Sequence, residues 1–288
     1  MSEGDGCVYS AVSASENDIL LKLSDEGKLI WAKELRFEDE DMYTDLTAVT
    51  YDNGHLFAGG DFLAKISPNG EILWCKYPLG LIKDIQISDY VYILDYGNKI
   101  FKFDFQGNLI WAKTIDKEDS YVYLKSMYVT LDGIYVLGRI EDSVALFMLD
   151  HDGNLRWTKR LNQESLVGSL YVDRGNVYIV GGLPKGNSFL IIFDPTSDDV
   201  QGIIMSGCDL RDVTFDKNIY CVGCSRSQNL GFYLANFTMS NIDVDVKSLN
   251  WSFRSCNLTL SDAKGSLINF TVGSSKNSDI LIVRVNLK

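Results

Sequence analysis

Ala145-Leu-Phe-Met-Leu-Asp-His-Asp-Gly-Asn-Leu-Arg-Trp157 holds, in one stretch, a continuous apolar run, a glycine-bearing turn and a strand that reaches a tryptophan. Unbroken apolarity over a strand length means burial on both faces. The glycine stands where a tight hairpin needs positive φ. The turn and strand recur as Gly27-Lys-Leu-Ile-Trp31, Gly70-Glu-Ile-Leu-Trp74 and Gly107-Asn-Leu-Ile-Trp111. Apolar runs of the same kind recur as Ile19-Leu-Leu-Lys-Leu23, Phe189-Leu-Ile-Ile-Phe193 and Ile280-Leu-Ile-Val283. Each indole follows its glycine at the same distance, so the four occupy one equivalent site. There a large flat ring covers a neighbouring sheet, worth roughly 1.5 to 3 kcal/mol by burial.

Upstream of these runs, short apolar strands place an aromatic at an equivalent position: Tyr9, Phe57, Tyr92, Tyr135, Tyr178, Tyr220 and Phe270. Their spacing of roughly 40 to 45 residues is that of one four-stranded propeller blade. The expected architecture is all-β, a seven-bladed β-propeller of four-stranded antiparallel blades occupying 1–288 as a single domain. Its first unit lacks an inner strand and its last an outer one.

The strands expected to line the channel are Ala48-Val-Thr-Tyr51, Asp84-Ile-Gln-Ile87, Ser126-Met-Tyr-Val129, Ser169-Leu-Tyr-Val172, Asp212-Val-Thr-Phe215 and Asn257-Leu-Thr-Leu260. All alternate, and a strand with alternate polar residues has one wet side. The channel-facing candidates for ligand binding are therefore Asp84, Gln86, Ser126, Tyr128, Ser169, Tyr171, Asp212, Thr214 and Asn257. They suit a small polar ligand, or a cation near Asp84 and Asp212.

Leu23-Ser-Asp-Glu-Gly-Lys-Leu-Ile-Trp31 and Leu149-Asp-His-Asp-Gly-Asn-Leu-Arg-Trp157 resemble the tryptophan-docking repeats of the quinoprotein-like (PQQ-like repeat) propellers, with a turn one residue shorter. Gly181-Gly182 followed by Phe189-Leu-Ile-Ile-Phe-Asp-Pro195 is also similar to kelch and surface β-propeller repeats. The resemblance implies a fold that many functions share. The tandem-cysteine and quinone-stacking arrangements of true quinoprotein dehydrogenases are not evident, so no cofactor is expected.

Composition narrows the partners. A net charge of −12 over 288 residues disfavours nucleic acid and anionic lipid, whose phosphates reward a basic surface. No apolar run is long enough for a membrane helix, and Met1 to Gly6 has neither a basic region nor an apolar core, so neither membrane insertion nor a secretory signal is expected at this end. The acidic run Glu38-Asp39-Glu40-Asp41 reads as a solvated loop. The six cysteines are expected to be reduced thiols. Cys221 and Cys224 have knuckle spacing, but residues three apart on a strand point to opposite faces, so no metal site is expected. Asn236, Asn250, Asn257 and Asn269 head glycosylation sequons, which matter only in an exported protein. His55 and His151, both in turns, are the only histidines, and no nucleophile elbow, zinc or phosphate-binding motif appears, so no catalytic residue is assigned.

These readings converge on a non-enzymatic scaffold that recognises a protein partner through loops at one mouth of the ring. The alternative is binding of a sugar or cation, or glycoside-type hydrolysis by a carboxylate pair, at the channel mouth. Cytoplasmic residence is expected, with an extracellular or cell-surface module as the alternative.

Overall fold

The computed structural model describes all residues except 1, 5, 15–16, 39–44, 53, 78, 217, 226–230, 263–268, 274–281 and 287–288. The acidic run after Glu38 thus lies outside the described residues. The chain is all-β and of β-propeller class, with seven antiparallel sheets among the described residues, five of five strands and two of two. Each sheet contains one of the seven repeat aromatics. Among the described residues, no helix is long and apolar enough to cross a membrane.

The chain divides into two compact units, Met1–Ile87 with Ser252–Lys288, and Ser88–Trp251. In the first, β1 (Ser2–Gly4), β2 (Cys7–Ala14), β3 (Asn17–Ser24) and β4 (Leu29–Phe37) form one meander. A second is made by β5 (Ala48–Asp52), β6 (His55–Gly59), β7 (Leu63–Ile66) and β8 (Ile72–Tyr77), and β9 (Ile82–Ile87) packs beside β5. The first sheet does have an inner strand: Ser2 pairs with Tyr9 and Gly4 with Cys7. Three residues are too few to show an alternation, which is why the sequence reading passed over it.

The second unit contains β10 (Val91–Asp95), β11 (Lys99–Phe103) and β12 (Leu109–Asp116). Two full meanders follow: β13 (Val122–Thr130), β14 (Gly133–Ile140), β15 (Ser143–Leu149) and β16 (Leu155–Leu161), then β17 (Leu166–Asp173), β18 (Asn176–Leu183), β19 (Asn187–Asp194) and β20 (Asp199–Ser206). The hairpin of β21 (Cys208–Asp216) and β22 (Asn218–Ser225) closes the series.

A single row of side chains crosses each tryptophan-bearing sheet. Tyr9 pairs with Lys22 and Lys22 with Trp31; Phe57, Lys65 and Trp74 repeat the row, as do Tyr92, Lys102 and Trp111, and Tyr135, Met148 and Trp157. Indole and aromatic sit 5.7 to 6.3 Å apart in all four. In the Tyr9 and Tyr92 rows the indole N–H then docks the next turn. Trp31 Nε1 donates to the Pro68 carbonyl at 3.2 Å, and Trp111 Nε1 to the His151 carbonyl at 3.1 Å. The same carbonyls accept Lys22 Nζ at 3.5 Å and Lys102 Nζ at 2.9 Å. A lysine inside an apolar strand is thereby held by a carbonyl and by the ring beneath it, Tyr9 at 5.2 Å for Lys22 and Tyr92 at 5.6 Å for Lys102. Gly70 and Gly153, at φ +79° and +76°, put no side chain between the turn and the indole that docks on it.

The fifth strands come from one returning segment. In the second unit β23 (Gly231–Ala235), β24 (Met239–Asn241) and β25 (Asp245–Ser248) pair in turn with the outer strands β20, β16 and β12. In the first, β26 (Arg254–Ser255) pairs with β8 and β27 (Leu258–Asp262) with β4. This strap runs back along the series in reverse order and covers outer edges that would otherwise be open templates. Phe237, Met239, Ile242, Val244 and Val246 pack on the second unit's core, and Cys256, Leu258 and Leu260 on the first's. The four-stranded blade expected from the repeat is thus a five-stranded sheet. The last hairpin, β28 (Asn269–Gly273) with β29 (Ile282–Asn286), follows the strap.

Candidate functional site

In the second unit three inner strands lie side by side, β13 against β17 and β17 against β21. Their register is the same. Ser126, Ser169 and Asp212 each follow a bulge, and Tyr128, Tyr171 and Thr214 stand opposite Tyr135, Tyr178 and Tyr220. A bulge shifts pairing by one residue and so sets which face the following side chains occupy. Side-chain hydrogen bonds place the starts of β13 and β21. Asn98 accepts the Leu124 N–H at 2.8 Å and donates to the Val122 carbonyl at 2.8 Å, while the Ser188 hydroxyl accepts the Leu210 N–H at 3.0 Å and donates to the Cys208 carbonyl at 2.8 Å. In the first unit Asp18 takes the Leu46 N–H at 2.9 Å, two residues before Ala48.

Six of the nine sequence candidates are therefore gathered in the second unit: Ser126, Tyr128, Ser169, Tyr171, Asp212 and Thr214. The rings of Tyr128 and Tyr171 meet edge to face at 4.9 Å. Burial, then donation of its hydrogen to Tyr171, then the nearby Asp173 carboxylate, push the Tyr128 phenol far above the ordinary tyrosine range. It stays neutral in any ordinary buffer. Asp212 is exposed, and its Oδ1 accepts the Val213 N–H at 2.9 Å. The group can hydrogen-bond and stack on a ligand.

Asp84 and Gln86 lie on β9 of the first unit, half-buried and joined, with Gln86 Nε2 donating to Asp84 Oδ1 at 3.1 Å. Asn257 is a correction. It is exposed immediately before β27, on the outer edge of the first sheet, where its carbonyl accepts the Glu38 N–H at 3.1 Å. Asn257-Leu-Thr-Leu260 alternates as an inner strand does, but alternation records which face is wet and not which edge of a sheet is used.

Two features escaped the sequence reading. Cys75 on β8 and Cys256 form a disulfide, correcting the expectation of reduced thiols throughout, and the Cys256 N–H donates to the Cys75 carbonyl at 3.3 Å. A cleft of about 550 Å³ opens beside it, lined by Phe37, Tyr77, Arg254, Cys256 and Asn257. With the two cysteines separated by 181 positions in sequence, no local spacing pointed to the pair. The second feature, the mid-strand lysines 22, 65 and 102, had a signal: one charge at the same register of three apolar runs.

His151 is a fixed part of its turn, with Nδ1 3.0 Å from the Tyr92 hydroxyl and Nε2 3.2 Å from the Leu131 carbonyl. Burial and Lys65 lower the pKa of His55. Burial pushes the Cys221 thiol up, which keeps it protonated and unreactive; the Cys224 side chain is outside the described residues. Asn236, Asn250 and Asn257, three of the four sequon asparagines, are exposed on the strap, and the side chain of the fourth, Asn269, is also outside the described residues.

No known protein family matches the chain, and no curated relative does. Among solved structures it is similar to BamB from Moraxella catarrhalis, with 15% identity, 91% of this chain and 88% of that one covered, and a TM-score of 0.48. It is similar also to a putative 6-phosphogluconolactonase from Bacteroides fragilis, with 15% identity, coverage of 77% and 72%, and a TM-score of 0.44. At such identities and scores, the chemistry of this chain rests on its own residues.

Proposed function

We propose that residues 1–288 act as one β-propeller domain, a non-enzymatic scaffold that recognises a protein partner through one mouth of the ring. The observation that supports this is the row of Ser126, Tyr128, Ser169, Tyr171, Asp212 and Thr214, set in one register on three adjacent strands. Hydroxyls and tyrosine rings are recognition chemistry, and tyrosines supply much of the binding energy where proteins meet. Docking of Trp31 and Trp111 on the following turns supports the quinoprotein-like kinship of the repeat, without a quinone. The Cys75–Cys256 disulfide and the exposed strap sequons favour an extracellular or cell-surface setting over the cytoplasm.

The test is chemical cross-linking in the source cell with wild-type protein and with Asp212→Lys, a change at an exposed position that leaves the sheet intact. A partner cross-linked to the wild type and lost from the variant supports the reading. An identical set of cross-linked proteins for both refutes it. The second reading, a small polar ligand, is favoured by the half-buried Tyr128–Tyr171 pair, whose rings and hydroxyls suit a sugar. Calorimetric titration with neutral sugars and with calcium, showing heat in the wild type that Tyr171→Phe abolishes, would establish it instead.

A further inference from the structure

The strap is held unevenly. It forms five-residue ladders on β20 and β4 but only two pairs on β8, Arg254 with Tyr77 and Ser255 with Lys76. The disulfide stands at that shortest ladder, where hydrogen bonding is least able to keep the segment in place. Its two sulfurs are in different surroundings. Cys75 is buried, at 3% exposure, whereas Cys256 is partly exposed and lines the cleft beside Phe37, Tyr77, Arg254 and Asn257. A thiolate entering from solvent therefore meets Cys256 first, and partly exposed disulfides are the ones open to exchange.

We infer that Cys75–Cys256 is a thiol-reactive latch, whose substrate is a dithiol and whose opening frees residues 252–262 from the outer edges of β8 and β4. One thiolate of the dithiol attacks Cys256 Sγ, forming a mixed disulfide. The Sγ–Sγ bond breaks, and its electron pair leaves on Cys75 Sγ, which takes a proton. The second thiol of the reductant then attacks its own sulfur in the mixed disulfide, releasing Cys256 as a thiol. Two electrons and two protons pass to the cysteines, and the dithiol becomes a disulfide. What remains on residues 252–262 is a short edge ladder and the packing of Leu258 and Leu260, a small enough contact to open locally without global unfolding. Opening bares the β4 ladder at Lys33–Phe37, now paired with Asp262 to Leu258, as an edge that an extended segment of another chain can join.

The experiment treats the folded, oxidised protein with dithiothreitol in the absence of denaturant, follows the gain of two hydrogens by intact mass, and measures amide hydrogen exchange. Reduction is expected to proceed in the native state and to raise exchange at Lys33–Phe37 and Leu258–Asp262 by about tenfold or more, with the ladders of β5 to β7 unchanged. Cys256→Ser is expected to reproduce that pattern without reductant. Three results overturn the inference. The disulfide resists dithiothreitol until denaturant is added, or reduction leaves exchange at those two segments unchanged, or exchange rises equally over β5 to β7, which would make the bond a general staple.

Discussion

Phe237 tests the claim that the strap is an integral layer of the fold. It lies between β23 and β24, is only 5% exposed, and meets Phe189 at 5.8 Å between ring centroids. Its floor is Gly202 of β20. A Cβ built there would lie 2.0 Å from Cδ2 and 2.4 Å from Cε2 of the ring, far inside van der Waals contact. Phe237→Ala should cost about 3 to 4 kcal/mol, from lost burial plus the cavity left beneath the strap. Gly202→Ala should cost about 2 to 3 kcal/mol, because the methyl group and the ring cannot occupy one place and the ring must leave. In the Phe237→Ala background the same glycine change has room, and it should be neutral or favourable by about 0.5 kcal/mol, as alanine replaces glycine within a strand. The coupling is therefore about 2 kcal/mol or more, with the double variant more stable than the sum of its parts. Urea unfolding of the four proteins, followed by tryptophan fluorescence, measures it. Additivity within about 0.5 kcal/mol would refute the packing of Phe237 on Gly202, and with it the view that the strap plugs the sheet.

Trp111→Phe keeps a ring but loses the N–H that meets the His151 carbonyl, and should lower stability by about 1 kcal/mol in a thermal melt. Asp18 is buried at 1% exposure and accepts the Leu46 N–H; Asp18→Ala strands that donor and should cost about 2 kcal/mol by urea unfolding, while Asp18→Asn, which keeps an acceptor, costs less. Tyr92 provides a pH signature. Burial first, then Tyr90, Asp89 and Asp152, push its phenol from 10.0 up to about 12. The unfolded chain thus loses this proton before the folded one does. The stability Tyr92 contributes is complete below about pH 10 and falls away as pH rises through about 12. Urea midpoints should decline less steeply over that window for Tyr92→Phe than for the wild type; equal slopes would contradict the assignment.

Much of this molecule is written locally. Glycine turns, continuous apolar runs and the seven aromatics are short-range signals, because hairpin geometry and two-faced burial act within a few residues of the chain. They were enough to define the repeating hairpins and to align Ser126 with Ser169 and Tyr128 with Tyr171. The matching bulges then brought those residues into one register in space. The lysines of the rows left a local signal too, one charge at the same register of three apolar runs, but the carbonyl and ring that hold Lys22 and Lys102 come from elsewhere in the chain.

Edge pairing was not legible. Leu258–Asp262 has the pattern of an inner strand, and nothing in its five residues distinguishes the inner edge of one sheet from the outer edge of another. That choice is made by partners far away in sequence: Thr259 Oγ1 reaches the carbonyl of Arg36, 223 residues earlier, and Cys256 joins Cys75 across 181. By itself, then, the sequence determined the strand type, the repeat and the faces that are wet or dry, because these follow from side-chain period and turn chemistry. Only the tertiary structure decided that residues 231–262 would turn back as a strap, cover five open edges and close on a disulfide. Backbone hydrogen bonding at a sheet edge accepts any strand that reaches it, and packing of the whole chain selects which one does.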